Sequence, residues 1–229
     1  MNKFAIIIYG PPGSGKGTQA NLLAWNRGFI HFDTGRFCEQ VVHDPAKTND
    51  PVIQRERILF DTGVLMTPSF VFKVVREKTA AIAQAGMSIV YSGSPRTMYE
   101  TFGDGAAEGL IALLAREYGK QNIHIFALEI KPEDAIARNK ERRICSVCRT
   151  PVMASSAPPA CSICGGSFEK RTLDDPGALA TRIREYEERT FPILAELERG
   201  GYAIQRVDAR PLPFEIHQHI VRHLDAQGT

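Results

Sequence analysis

At 229 residues, 43% hydrophobic and 24% charged, the chain has the composition of one full-sized globular domain, or one domain carrying insertions. Its 28 basic and 26 acidic residues leave a net charge of +2, which argues against a general affinity for nucleic acid. No apolar run approaches the ~18 residues of a membrane span, and the run at residues 4–9 is too short for the core of a secretion signal, so no membrane partner and a cytoplasmic location are expected.

Residues 3–9, KFAIIIY, form a branched apolar run that stops at glycine. Such a run predicts a strand buried on both faces, as in a parallel sheet. A glycine-rich turn follows. Residues 18–28, TQANLLAWNRG, then show helical spacing and close on Gly28. Residues 33–63, broken by Pro45 and Pro51, predict short helices. Pro68 opens a helix that runs to about residue 85, before Gly86. Further strands are predicted at 87–92 (MSIVYS), 123–130 (IHIFALEI) and 202–207 (YAIQRV). Helices are predicted at 106–118, from Pro132 onward through PEDAIARNKERR, at 175–201 with a kink at Pro192, and at 212–225. Strands alternate with helices, so the expected fold is α/β, a parallel sheet covered by helices on both faces. Residues 144–166 have neither period and read as an inserted mini-domain.

The turn after the first strand is Gly10-Pro-Pro-Gly13-Ser14-Gly15-Lys16-Gly17-Thr18, which satisfies GxxxxGK. A buried strand precedes it and a helix follows it, the setting that makes this motif specific. Its glycines let backbone N–H groups converge on a polyphosphate, and the helix N-terminus adds partial positive charge. Lys16 supplies an ammonium for the β and γ oxygens. A nucleoside triphosphate site follows. The acid that holds magnesium in ATPases and GTPases is missing, because the second predicted strand ends at Tyr91-Ser92-Gly93.

Four of the five cysteines, Cys145, Cys148, Cys161 and Cys164, fall in the inserted segment as CxxC-x12-CxxC. Thiols stay reduced in the cytoplasm, so this spacing favours a metal over disulfides. A ribbon that binds nucleic acid or protein is the other functional reading, and the modest local charge counts against it. Cys38 reads as an ordinary, partly buried thiol.

The strings GPPGSGKGTQA (10–20), TG (34–35), SPRT (94–97) and ERRIC (141–145), together with the four cysteines, resemble adenylate kinases and related nucleoside monophosphate kinases of the zinc-lid subtype. The likeness covers nearly the whole chain in order. It implies a P-loop three-layer fold with a CORE at 1–143 and 172–229, a monophosphate-binding insertion at 33–67 and a zinc-stabilised LID at 144–171. It implies transfer of the γ-phosphoryl of MgATP to AMP, with ATP, magnesium and structural zinc as cofactors, by a monomer whose ligands are nucleotides. The family pattern assigns Gly13, Ser14, Gly15, Lys16, Gly17 and Thr18 to the triphosphate and Arg138 to the ATP adenine. It assigns Arg142, Arg171 and Arg182 to the transferring phosphoryl, with Asp174 as a lid acid that pairs with an arginine. Thr34, Gly93 and Arg96 fall to the monophosphate. On this reading Lys16, Arg96, Arg142, Arg171 and Arg182 carry the catalysis, because phosphoryl transfer depends on positive charge.

The acceptor half departs from the family pattern. Where STGDxxR is usual, the chain has Asp33-Thr34-Gly35-Arg36-Phe37-Cys38-Glu39, so a carboxylate replaces a cation. Ser92 stands in place of an acid near magnesium, where at most it holds a coordinated water. Glu100 replaces a base-reading glutamine. An ionised carboxylate only accepts hydrogen bonds, which suits the adjacent N1–H and N2 donors of guanine better than adenine. The alternatives are that Glu100 turns outward or pairs with Arg36 and reads nothing. A kinase with another acceptor such as GMP, or a weakly catalytic nucleotide-binding protein, therefore stays open.

Overall fold

The computed structural model describes residues 3–152, 158–170 and 174–228. Its centre is β1 (Ala5–Tyr9), in which every residue is buried. One face of β1 presents Ala5, Ile7 and Tyr9 to one apolar core, and the other presents Ile6 and Ile8 to a second. Two-sided burial is the reason the strand shows no alternation in sequence.

Four more strands complete a parallel sheet: β2 (Ile30–Phe32), β3 (Ile89–Tyr91), β4 (Ile123–Glu129) and β8 (Ile204–Asp208). The order is β2-β3-β1-β4-β8. The register sets Ile6 beside Val90 and Ile8 beside Phe126. The earlier strands β2 and β3 thus lie on one side of β1, and the later strands β4 and β8 on the other. That reversal opens a crevice at the carboxyl ends of the strands, where ligands of open α/β sheets bind. Helices α1 (Lys16–Arg27) and α10 (Pro213–Ala226) pack together on one side. Helices α4 (Pro68–Gln84), α6 (Leu110–Tyr118) and α9 (Phe191–Arg199) supply buried residues to the opposite core.

The region expected to hold short helices contains α2 (Thr34–Val42), a 3₁₀ turn (Pro45–Lys47) and α3 (Pro51–Thr62). Asp33, Asp44 and Asp50 each accept a backbone N–H at the start of these elements, and prolines take the position where the N–H has no use. Glu56 is fully buried on α3. It accepts from Thr67 N at 2.8 Å, from Thr67 Oγ1 at 2.5 Å and from Arg55 Nη2 at 2.8 Å. This carboxylate ties α3 to the start of α4.

The structure departs from the sequence expectations in four places. Strand β2 was not expected, because Ile30 is exposed and only Phe32 of its three residues is buried. The helix expected at 106–118 begins at Leu110, after a short α5 (Met98–Phe102) that the sequence reading missed. The expected long helix is α8 (Pro176–Glu185), a π-helical turn (Tyr186–Thr190) and α9. The widened turn removes the need for an N–H at Pro192. The cysteine segment, read as lacking strands, forms a small antiparallel sheet of β5 (Arg143–Cys145), β6 (Pro151–Val152) and β7 (Phe168–Glu169). Strands of two or three residues are too short to show a period. Between β4 and this small sheet runs α7 (Pro132–Glu141).

Removing the buried carboxylate tests the α3–α4 tie. Glu56→Ala removes the acceptor for both the Thr67 N–H and the Thr67 hydroxyl hydrogen, at an expected ~1–3 kcal/mol. A urea titration should show a lower midpoint, and an unchanged midpoint would show that the tie contributes nothing.

Candidate active site

The loop between β1 and α1 is shaped by close backbone approach. Gly10 has φ 149°, and a Cβ there would lie 2.8 Å from Leu128 O and 2.6 Å from Ser14 Oγ. Gly13 has φ 91°, and its Cβ would lie 2.5 Å from Ala135 O on α7. Neither position has room for a side chain, so the loop can lie flat across the ends of β1 and β4. Lys16 Nζ donates to Gly10 O at 2.6 Å and to Pro11 O at 2.9 Å. The loop therefore curls around its own ammonium. Ser14 is buried with its hydroxyl unpartnered, and Gly15, Gly17 and Thr18 form the start of α1.

A cleft extends from this loop toward α2 and α8, lined by Lys16, Thr34, Gly93, Arg96, Glu100 and Arg182. A Cβ on Gly93 would lie 3.2 Å from Arg96 Nη2 and 3.6 Å from Thr34 Cβ. The structure thus gathers Thr34, Gly93 and Arg96 at one point. The hydroxyls of Thr34 and Ser94 are buried without a protein partner and belong to residues that line the cleft.

Glu100 neither turns outward nor pairs with Arg36. It is 3% exposed. Its carboxylate accepts from Arg96 N at 3.0 Å and from Thr97 Oγ1 at 3.1 Å. Thr97 Oγ1 in turn accepts from Glu100 N at 3.2 Å, so the pair also caps α5. Burial pushes the Glu100 carboxyl above the ordinary glutamate range, opposed by the bond from Arg96 N–H, the bond from the Thr97 hydroxyl and the charges of Arg96 and Arg189. Two further departures from the family pattern lie on α2. Arg36 is exposed at the start of α2, and Glu39 lies 4.0 Å from Arg149 of the cysteine segment.

The arginines converge from separate elements. Arg142 closes α7 and donates to Asp174 through Nε at 2.8 Å and Nη2 at 2.5 Å. Arg182 on α8 approaches the same Asp174 oxygen at 3.5 Å. Asp174 is 5% exposed, so the two cations share a buried counter-charge. Arg138 donates to the carbonyls of Ala209 and Arg210 at 2.7 and 2.9 Å, which holds its guanidinium against the loop after β8. Arg171 lies outside the described residues.

The four thiols meet in the small sheet. Their sulfurs all lie within 4.8 Å of one another. Cys145 and Cys164 approach to 3.4 Å, and Cys148 and Cys161 to 3.6 Å. Four thiolates around one zinc stand about 3.8 Å apart, from a Zn–S length of ~2.3 Å. The cluster therefore fits that ion. Each CxxC turn ends in a residue of positive φ, Arg149 at 60° and Gly165 at 73°, so two matching turns present the pairs to each other. Cys148 Sγ also lies 3.2 Å from Thr150 Oγ1, which fixes the first turn beside the sheet.

Sequence reasoning missed Tyr9 and Cys38 as parts of the cleft wall. The signal for Tyr9 was present: a lone phenol closes an aliphatic strand just before the glycine loop. No sequence signal marked Cys38, whose burial at 3% depends on how α2 packs.

No family model matches the chain. Among curated proteins, an adenylate kinase of Pelobacter propionicus is 31% identical over 221 residues, covering 95% of this chain and 94% of that protein. An adenylate kinase of Rhizorhabdus wittichii is 29% identical over 229 residues, covering 96% and 99%. An adenylate kinase of Novosphingobium aromaticivorans is 31% identical over 208 residues, covering 89% and 90%.

The raised Glu100 pKa has a consequence for stability. Between the ordinary glutamate value of ~4.3 and the raised value, the folded chain holds a proton that the unfolded chain releases. This contribution therefore falls as pH rises through that window. A neutral amide at the same place removes it. The melting temperature of Glu100→Gln minus that of wild type should climb as pH is raised above ~4.3. Parallel melting curves across that range would show that Glu100 ionises normally.

Proposed function

The chain belongs to the adenylate kinase family, and from that membership we propose that it transfers the γ-phosphoryl of MgATP to AMP, forming two ADP. It is a phosphotransferase of the nucleoside monophosphate kinase type. The observation that carries the reading is one cleft shared by the P-loop lysine, Arg96 and Arg182, with Arg142 joined to Arg182 through Asp174.

In this reading the P-loop N–H groups hold the triphosphate, and magnesium arrives with the nucleotide as part of the substrate. The Lys16 ammonium leaves the Gly10 and Pro11 carbonyls for the β and γ oxygens. Arg96 holds the acceptor phosphate beside Thr34 and Gly93. Arg142, Arg171 and Arg182 neutralise the charge that spreads over the phosphoryl oxygens in flight. Arg138, already held against the loop after β8, offers a flat face to the ATP adenine. The acceptor's phosphate oxygen attacks, the bond from the γ phosphorus to the bridging oxygen breaks, and no side chain becomes covalently modified.

Residues 1–143 and 172–229 act as the CORE, 33–67 as the acceptor insertion and 144–171 as the LID. Closure excludes water, which would otherwise take the phosphoryl. A lid of this size buries too little apolar surface to hold its own shape. Cys145, Cys148, Cys161 and Cys164 would hold a zinc that completes its tetrahedron with thiolates, leaving it structural and without an open position.

One observation favours a second acceptor. Glu100 presents an inward carboxylate to the cleft, where the family pattern has an amide. Guanine offers such a carboxylate two adjacent donors, whereas adenine N1 would face negative charge. GMP is therefore the acceptor to compare with AMP.

Three measurements test these statements. Lys16→Met should fold normally and lose ADP formation by at least about 100-fold, because the β and γ oxygens lose a direct cation; near-normal turnover would sink the assigned chemistry. Elemental analysis of protein purified without chelator should find one zinc per chain, and a zinc-free protein with an ordered lid would contradict the structural role. Glu100→Gln should shift the ratio of kcat/KM for AMP over GMP toward AMP by about five-fold or more, and an unchanged ratio would show that Glu100 does not read the base.

A further inference from the structure

We propose that Asn21, His31 and Ser92 form a hydrogen-bonded relay that turns the Ser92 hydroxyl hydrogen away from the cleft, so that Oγ faces the bound nucleotide as an acceptor only. The relay rests on the kinase reading for its purpose but not for its geometry.

The three residues come from three elements. Asn21 lies on α1, one turn beyond the P-loop. His31 is the middle residue of β2. Ser92 follows β3 directly, 8% exposed, and lines the cleft with Lys16. His31 Nδ1 lies 2.7 Å from Asn21 Oδ1, and His31 Nε2 lies 2.8 Å from Ser92 Oγ. An amide oxygen can only accept. Nδ1 therefore carries the ring hydrogen, Nε2 has a bare lone pair, and the Ser92 hydroxyl donates to it. Burial lowers the His31 pKa, so the ring is neutral at pH 7. Asp33 raises its basicity and Arg36 lowers it, while Asn21 and Ser92 are neutral.

A serine hydroxyl is ordinarily both donor and acceptor. With its hydrogen committed to His31, Ser92 Oγ keeps only lone pairs for the cleft. That is the hydrogen-bonding character of a carboxylate without its charge. The oxygen can accept from a water on the nucleotide's divalent cation, the role left vacant by the missing acid at this position. Protonating His31 would reverse the relay. Nε2–H would then donate to Oγ, and the serine hydrogen would swing into the cleft against another donor.

The first test reads the tautomer in the substrate-free protein. Nitrogen NMR of His31, assigned with a His31→Gln variant, should show Nδ1 protonated and Nε2 bare at neutral pH. An Nε2–H tautomer or a charged ring would overturn the relay. Because this reading needs no turnover, an inactive protein would count against the kinase function and leave the relay standing. The second test uses Asn21→Asp, whose carboxylate favours the charged ring and should raise the His31 pKa by about one unit. The acid limb of ADP formation should move up with it, and a limb that stays in place would refute the coupling. The third test compares Ser92→Ala with Ser92→Asp. The alanine should raise the magnesium concentration for half-maximal Mn²⁺-displaceable binding to the ATP complex by about ten-fold, and the aspartate should restore it. Equal affinities in wild type and Ser92→Ala would refute the acceptor role.

Discussion

On the kinase reading, cations gathered for a polyphosphate repel one another until it arrives, and the site is built around that repulsion. Two unit charges 4 Å apart interact by about 4 kcal/mol at an effective dielectric of 20. The structure answers with temporary partners. Lys16 rests on two carbonyls of its own loop, and Arg142 and Arg182 share one buried carboxylate at Asp174. Arg138 rests on the carbonyls of Ala209 and Arg210. The carbonyls that hold Lys16 are neutral, so its ammonium can exchange them for a phosphate without leaving a charge behind.

The fold serves this arrangement by bringing distant segments to one edge of the sheet. The reversal of strand order at β1 opens the crevice, and the loops after β1 and β3 deliver Lys16, Gly93 and Arg96 into it. Helices α7 and α8 add Arg142 and Arg182, which meet at Asp174. The cysteine segment has strands too short to form a core, and it gathers four sulfurs instead. The acceptor side is the region where this chain differs most from the family pattern. There the carboxylate of Glu39 reaches toward Arg149, and that of Glu100 is spent partly on capping α5.

Legibility in the sequence followed the length of each signal. The buried run IIIY, the GxxxxGK turn and the two CxxC pairs are contiguous, and each reports on a structure a few residues across. They placed the first strand, the P-loop after it and the thiol cluster. Strand β2 was hidden because Ile30 faces solvent at 37% exposure, and the three short strands of the cysteine segment were hidden by their brevity. The π-helical turn before Pro192 could be anticipated only as a kink. Side-chain partnerships were the least legible. Nothing in the spacing of Asn21, His31 and Ser92 marks them as neighbours, since their meeting depends on α1, β2 and β3 packing together. The inward turn of Glu100 likewise depends on the Thr97 cap, whose geometry exists only once α5 has formed.

Phosphorus NMR of wild-type protein mixed with ATP, magnesium and AMP tests the account most directly, because it distinguishes transfer to a monophosphate from transfer to water. The expected spectrum shows the ATP β resonance falling as the two ADP resonances grow, without accumulation of inorganic phosphate. Release of inorganic phosphate at the expense of ATP, with AMP unconsumed, would contradict it.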